Sequence, residues 1–122
     1  VLQFPMYWYS TPALLKQWED DVLLYGWAYG STGTALAGKE LLLAVSTGGP
    51  GDDYSHDGSY GYTLTELLRP LQATANMVQM TYLEPFTTTG TLTITDEALA
   101  QRVEDYAAVL ESADLPTLDR RG

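Results

Sequence analysis

The chain has 122 residues, 45% of them hydrophobic, and sets 16 acidic against 6 basic side chains for a formal net charge of -10. That length fits one domain and that hydrophobic share allows a packed core, while the charge balance argues against nucleic acid and a polybasic membrane patch, which both need cationic surface. With no cysteine and a single histidine, His56, disulfides, thiolate chemistry, cysteine-ligated clusters and histidine-rich metal sites are excluded, and no stretch approaches the ~20 apolar residues of a membrane span.

The start, VLQFP, has no basic n-region and no initiator methionine, so it reads as a chain entered in the middle of a domain rather than as a signal peptide. Val1 to Phe4 predicts a short strand, which Pro5 ends because proline brings no donor to a ladder. Next come the aromatics Tyr7, Trp8 and Tyr9. Aromatics at a strand end are costly to leave in water and useful against a flat ligand. Ser10 or Thr11 is expected to cap a helix with Pro12 at its first position. Leu14, Leu15, Trp18, Val22 and Tyr25 recur at helical spacing, and Gly26 is expected to end the helix. The segment WAYGSTGTALAGK, residues 27–39, reads as a loop, with Trp27 and Tyr29 as packing or subunit-contact anchors.

Leu41 to Val45 is a continuous apolar run, the pattern of a strand covered on both faces. It leads directly into Ser46, Thr47, Gly48 and Gly49. A strand followed by hydroxyls and glycines is where open α/β sheets bind ligands, though many strand–turn junctions also contain glycine. Residues 52–62, DDYSHDGSYGY, continue as a polar, tyrosine-rich flap. Asp52, Asp53, His56 and Asp57 match no metal-ligand motif. Thr63 and Glu66 have capping-box spacing before a helix marked by Leu64, Leu67, Leu68, Leu71, Ala75 and Val78, within which Pro70 forces a break or kink. TYLEPFTTTG predicts a third strand, with Pro85 favouring an edge position. Thr95 caps the last helix, whose expected buried stripe is Leu99, Val103, Tyr106 and Leu110. The tail 116–122 is expected to fray. The order is strand–helix three times over, with crossovers long enough for a parallel α/β sheet.

The pieces FPMYWYSTPALLKQWEDDVLLYGWAYG, GTALAGKELLLAVSTGGP and YTLTELLRPLQATANMVQMTYLEPF together resemble the NAD(P)H dehydrogenase (quinone) family. The nearest likeness is to the bacterial ancillary oxidoreductases of glutathione-regulated potassium-efflux systems. The resemblance implies a flavodoxin-like α/β fold with flanking helices, in which this chain supplies strands 3, 4 and 5 of the order 2-1-3-4-5. On that reading residues 1–115 are the C-terminal part of one domain, 116–122 are a tail, and the first strand's edge is bare. The strand, phosphate-binding loop, helix and second strand that open family members are then expected in a longer protein.

For function, the resemblance implies a flavoprotein oxidoreductase of the cytoplasm that carries FMN (alternatively FAD). NAD(P)H is the electron donor, and a quinone or similar small electrophile takes two electrons. By the same likeness Pro5, Met6, Tyr7, Trp8 and Tyr9 line the flavin, and Ser46, Thr47, Gly48 and Gly49 meet its ring. Ser46 stands where the family commonly has threonine. Tyr54 aligns with a tyrosine that helps relay charge, while that residue's partner histidine falls on Tyr60, so a two-residue relay is not expected. A homodimer and a potassium-efflux transporter are the implied protein partners, the latter placing the protein at the inner face of the cell membrane. The competing readings are a regulatory ancillary subunit and a fragment without cofactor. In the latter, Trp8 and Tyr9 serve core or dimer packing.

Overall fold

The computed structural model describes residues 1–119. Strand β1 (Leu2–Pro5) pairs in parallel with β3 (Leu43–Ser46), with Leu2 opposite Leu43 and Phe4 opposite Val45. On its other side β3 pairs in parallel with β5 (Phe86–Thr88), giving the order β1-β3-β5. Upstream, the short strands β2 (Glu40–Leu41) and β4 (Thr81–Tyr82) run parallel to one another. The breaks between these pieces fall at Leu42, whose carbonyl accepts from the Leu2 N–H at 3.0 Å, and across Leu83–Pro85. Pro85 cannot donate to a ladder, which is why the third strand is interrupted where it is and why it lies at an edge. Leu41 to Val45 is buried at every position, as a run covered on both faces requires.

Alternation along the strands sorts the residues into two faces. Leu2, Phe4, Leu43 and Val45 share one, and they form the core with Leu68, Leu71 and Ala75. The helix predicted from Thr63 is split as Pro70 demands, into α2 (Leu64–Leu67) and α3 (Arg69–Met77), with Leu68 between them. The capping box at its start is complete. Glu66 N–H donates to the Thr63 hydroxyl at 3.1 Å and Thr63 N–H donates to the Glu66 carboxylate at 2.8 Å. Helix α1 (Ala13–Val22) lies beside α3.

The opposite face carries Gln3, Ala44 and Phe86, and α4 (Asp96–Glu111) sits over it. Tyr106 stacks on Phe86 with ring centroids 5.1 Å apart and donates its hydroxyl to Gln3 Oε1 at 3.0 Å. The Arg102 guanidinium lies 4.0 Å from the Phe86 ring centre and donates to the Thr87 carbonyl at 2.8 Å.

Four expectations are corrected. α4 has no buried residue, and Leu99, Val103 and Leu110 are 45%, 62% and 52% exposed, because Tyr106 of the expected stripe and Arg102 beside it, rather than its aliphatic members, hold the helix to the sheet. α1 ends at Val22 instead of Gly26, since the chain turns at Leu23 to Tyr25, leaving Leu14, Trp18 and Tyr25 exposed. Neither Ser10 nor Thr11 caps it, and Pro12 precedes its first turn. The tail does not fray as far as residue 119. Glu84 N–H donates to the Pro116 carbonyl, Leu118 N–H donates to the Tyr82 carbonyl, and the Gln72 amide donates to the Asp119 carbonyl at 2.6 Å. These bonds satisfy an open strand edge that propensity along the tail itself does not reveal. Residues 120–122 of the expected tail lie outside the described residues.

Candidate functional site at the sheet's C-terminal edge

Three loops meet where β1 and β3 end. Pro5 closes β1, and Met6 extends the pairing by one bond, its N–H donating to the Ser46 carbonyl at 2.8 Å. The chain then folds sharply. Tyr7 and Ser10 exchange backbone hydrogen bonds of 3.0 Å in both directions, and the two residues between them, Trp8 and Tyr9, have φ of 48° and 63°. Positive φ at both central residues is the type I′ geometry that glycine and asparagine favour. Two bulky aromatics there cost on the order of 1–3 kcal/mol each. The result is an aromatic pair held out from the sheet edge, with Trp8 92% exposed.

The second loop follows β3. Thr47 is buried, its N–H donates to the Thr88 carbonyl at 2.9 Å, and its hydroxyl donates to the Gly49 carbonyl at 2.9 Å. Among the described residues the N–H groups of Gly48 and Gly49 donate to no protein acceptor. Residues 88–91 bracket this loop from β5's side, with Thr91 N–H donating to the Thr47 carbonyl and Gly90 N–H to the Gly49 carbonyl at 2.8 Å.

The flap, 50–62, is the third. It opens with a single 3-10 turn at Gly51–Asp53 and is tied across itself by Tyr60 N–H donating to the Asp53 carbonyl at 3.1 Å. Tyr60 packs edge-on against Tyr9, ring centroids 5.6 Å apart, and tilted against Tyr54 at 4.7 Å. Its hydroxyl occupies the space a side chain at Gly49 would need, so any larger residue there requires the Tyr60 ring to shift. Burial pushes the Tyr54 phenol above its ordinary pKa, against an opposing contribution from the Thr47 hydroxyl. His56 turns away from the flap's aspartates and meets Glu66 at 3.0 Å. A hydrogen bond from the Thr63 backbone, with His56 second, holds the Glu66 carboxyl below the usual range.

The edge thus brings together Met6, Tyr9, Ser46, Thr47, Gly48, Gly49 and Tyr54. Tyr7 and Trp8 stand out from the cluster on the turn, and Trp27, 47% exposed, belongs to neither the core nor this edge. Two contributors go beyond the residues selected from sequence. Tyr60 joins the turn to the flap, and the segment 88–91 braces the glycine loop. A glycine at the end of TTTG was the available signal for the second, and Gly90 indeed has φ 68°. Chemically the edge offers an apolar planar wall, two adjacent free N–H donors, and a phenol that is neutral at neutral pH. Those features fit the ring of a flavin, with its flat apolar faces and polar rim.

Comparison with known proteins agrees with this arrangement. The family described as a flavodoxin-like fold matches residues 1–110. The uncharacterized NAD(P)H oxidoreductase YrkL of Bacillus subtilis is 58% identical over 109 residues, covering 87% of this chain and 63% of that protein. The glutathione-regulated potassium-efflux system ancillary protein KefF of Salmonella arizonae is 49% identical over 107 residues, 87% of this chain and 59% of KefF. The likeness to the potassium-efflux ancillary proteins is therefore real but weaker than the one to the Bacillus oxidoreductase. Among solved structures, general stress protein 14 of Treponema denticola, in complex with FMN, superposes with a TM-score of 0.80 at 48% identity, covering 89% of this chain and 62% of that one. The chain spans about three-fifths of the length of these relatives. Among the described residues no helix is long and apolar enough to cross a membrane.

Proposed function

The chain belongs to the flavodoxin-like-fold family, and on that footing we propose that it forms part of an FMN-dependent NAD(P)H oxidoreductase passing two electrons to a quinone or similar small electrophile. The observation that carries this reading is the convergence at one sheet edge of the Trp8–Tyr9 turn, the unpartnered N–H groups of Gly48 and Gly49, and the Tyr54 phenol. The FMN complex of the Treponema relative and the NAD(P)H oxidoreductase name of the Bacillus relative support it.

When bound, FMN supplies the hydride chemistry. This chain's residues do the rest. Pro5 stops β1 so that Met6 and Tyr7 leave the sheet at its ligand-facing end. Trp8 and Tyr9 offer planar apolar contact, and the strain of their turn is offset once a flat partner covers them. Ser46 offers a hydroxyl, and Gly48 and Gly49 offer N–H donors, to a polar rim that gains negative charge on reduction, while the buried Thr47 hydroxyl, donated to the Gly49 carbonyl, holds the loop in shape. Glycine at both positions lets the backbone approach closely. NAD(P)H and the acceptor use the same open face in turn. Tyr54 donates a hydrogen bond or proton toward the acceptor. A phenol with a raised pKa remains protonated at neutral pH, which suits donation rather than base work.

The visible spectrum of the purified protein after addition of FMN tests the reading first. A perturbed flavin spectrum with saturable binding is expected, and a full-length protein that never binds flavin would sink it. Steady-state turnover of NAD(P)H with a quinone then tests Tyr54. Tyr54→Phe is expected to lower kcat by about 10²-fold, the low end for a lost general acid, with flavin binding retained. An unchanged rate removes Tyr54 from the catalytic set. The likeness to KefF supports a second role as an ancillary subunit of a potassium-efflux transporter, which co-purification with such a transporter would reveal.

A further inference from the structure

Away from the aromatic edge, the seam between α1 and α3 is incompletely filled. It holds a cavity of about 250 Å³ walled by Trp18, Leu23, Leu36, Leu71, Val78 and Met80. The cavity reaches Leu2 and Leu41, at the start of the strands, and so lies toward the opposite end of the sheet from the Trp8–Tyr9 turn. Val1 also lines the cavity, and among the described residues its one charged side chain is Glu19. The same residue, with Leu23, Thr74 and Val78, also lines a solvent-side opening of about 330 Å³, so the carboxyl stands in the mouth of an apolar chamber.

Glu19 Oε1 is buried and has no hydrogen-bond partner among the described residues. The neighbouring donors bond to other groups among the described residues. The Thr74 hydroxyl donates to the Pro70 carbonyl at 3.0 Å, and the Lys16 ammonium donates to Asp20 at 2.6 Å. Burial accordingly raises the Glu19 pKa, with Lys16 opposing. A buried acceptor without a donor is costly to keep. Here it sits beside space that a ligand can enter.

We propose that this seam is a binding site for a small organic amine, its protonated nitrogen donating to Glu19 Oε1 and its aliphatic or aryl body filling the chamber. The chemistry selects that class. A metal ion would find one carboxylate and apolar walls in place of the several oxygens it needs. An anion would be repelled by Glu19 and Asp20, which outnumber Lys16 at the mouth, and by a chain of net charge -10. An alcohol could satisfy the acceptor but not the charge. The volume lies below the ~300–1,000 Å³ of drug-sized pockets, so the ligand is of fragment size.

The test is titration of the purified chain, without FMN, with 2-phenylethylamine and with 2-phenylethanol as the uncharged match. Binding is read by calorimetry and by methyl shifts of Leu71, Val78 and Met80. Saturable shifts at those methyls are expected for the amine, with affinity at least about tenfold above the alcohol, as a charge-assisted hydrogen bond provides. Glu19→Gln, which keeps the shape, should weaken the amine about tenfold and leave the alcohol unchanged. Leu23→Trp, which fills the chamber, should abolish both. The proposal is overturned if Glu19→Gln binds the amine as well as the parent does, if amine and alcohol bind alike, or if the shifts fall outside the seam.

Discussion

Helices α3 and α4 each carry an apolar stripe at helical spacing, yet they meet opposite fates. α3 buries Leu71, Gln72 and Ala75 on the Leu43–Val45 face of the sheet, and Val78 just beyond it is buried as well. α4 buries none of its sixteen residues. It is fixed instead by the Tyr106–Phe86 stack, the Arg102 contacts and the hydrogen bond to Gln3. Beside it the same sheet face holds a groove of about 190 Å³ lined by Ala44, Ser46, Phe86 and Tyr106. An apolar stripe therefore states that a helix has a face to hide. Whether the face is hidden depends on what the tertiary structure sets opposite it.

This contrast is open to breaking. The largest effect is expected at Leu71, a buried core side chain of α3, where Leu71→Ala should cost about 2–5 kcal/mol in denaturant unfolding. A loss under about 1 kcal/mol, the size of an ordinary point substitution, would place α3 with α4 and remove the distinction.

Next in size is a pH effect on the same buried side. Burial pushes the Tyr82 phenol up to about 12, with Arg69 opposing. The fold thus favours the neutral form. Its contribution is fully present below the unfolded pKa near 10 and is lost as pH rises toward about 12. That amounts to on the order of 2–3 kcal/mol across the window. Denaturation midpoints from pH 9 to 12 (about one unit below the ordinary tyrosine value to about two above it) should fall less steeply for Tyr82→Phe than for the parent. Parallel slopes would show that Tyr82 does not carry the effect.

The smallest effect is expected on α4, where Val103→Ser should change stability by no more than about 0.5 kcal/mol, as for an ordinary surface site. A loss of 2 kcal/mol or more, in the range of a core truncation, would show that the stripe is covered in solution.

Part of this architecture was legible in the residues. The capping box at Thr63 and Glu66, the break at Pro70, the doubly covered strand at Leu41–Val45 and the edge position of the Pro85 strand each depend on a few neighbours along the chain. So does the placing of a hydroxyl and glycine turn at Ser46–Gly49, directly after the buried run that forms β3. The grouping at the aromatic edge was less legible. Tyr9, Tyr54 and Tyr60 are scattered over fifty positions, and only the folded flap sets their rings 5.6 and 4.7 Å apart. The left-handed turn at Trp8 and Tyr9 runs against local preference, so propensity could not announce it.

By itself, then, the sequence determined the alternation of strands and helices, the punctuation between them and the chemistry available at the strand ends, since those follow from hydrophobic period, proline and glycine geometry, and side-chain type. Only the tertiary structure decided which stripe is buried, which edge the 116–118 segment closes, and which aromatics share a wall. Those outcomes rest on contacts between residues far apart in the chain, where packing and unsatisfied backbone groups outweigh any local preference.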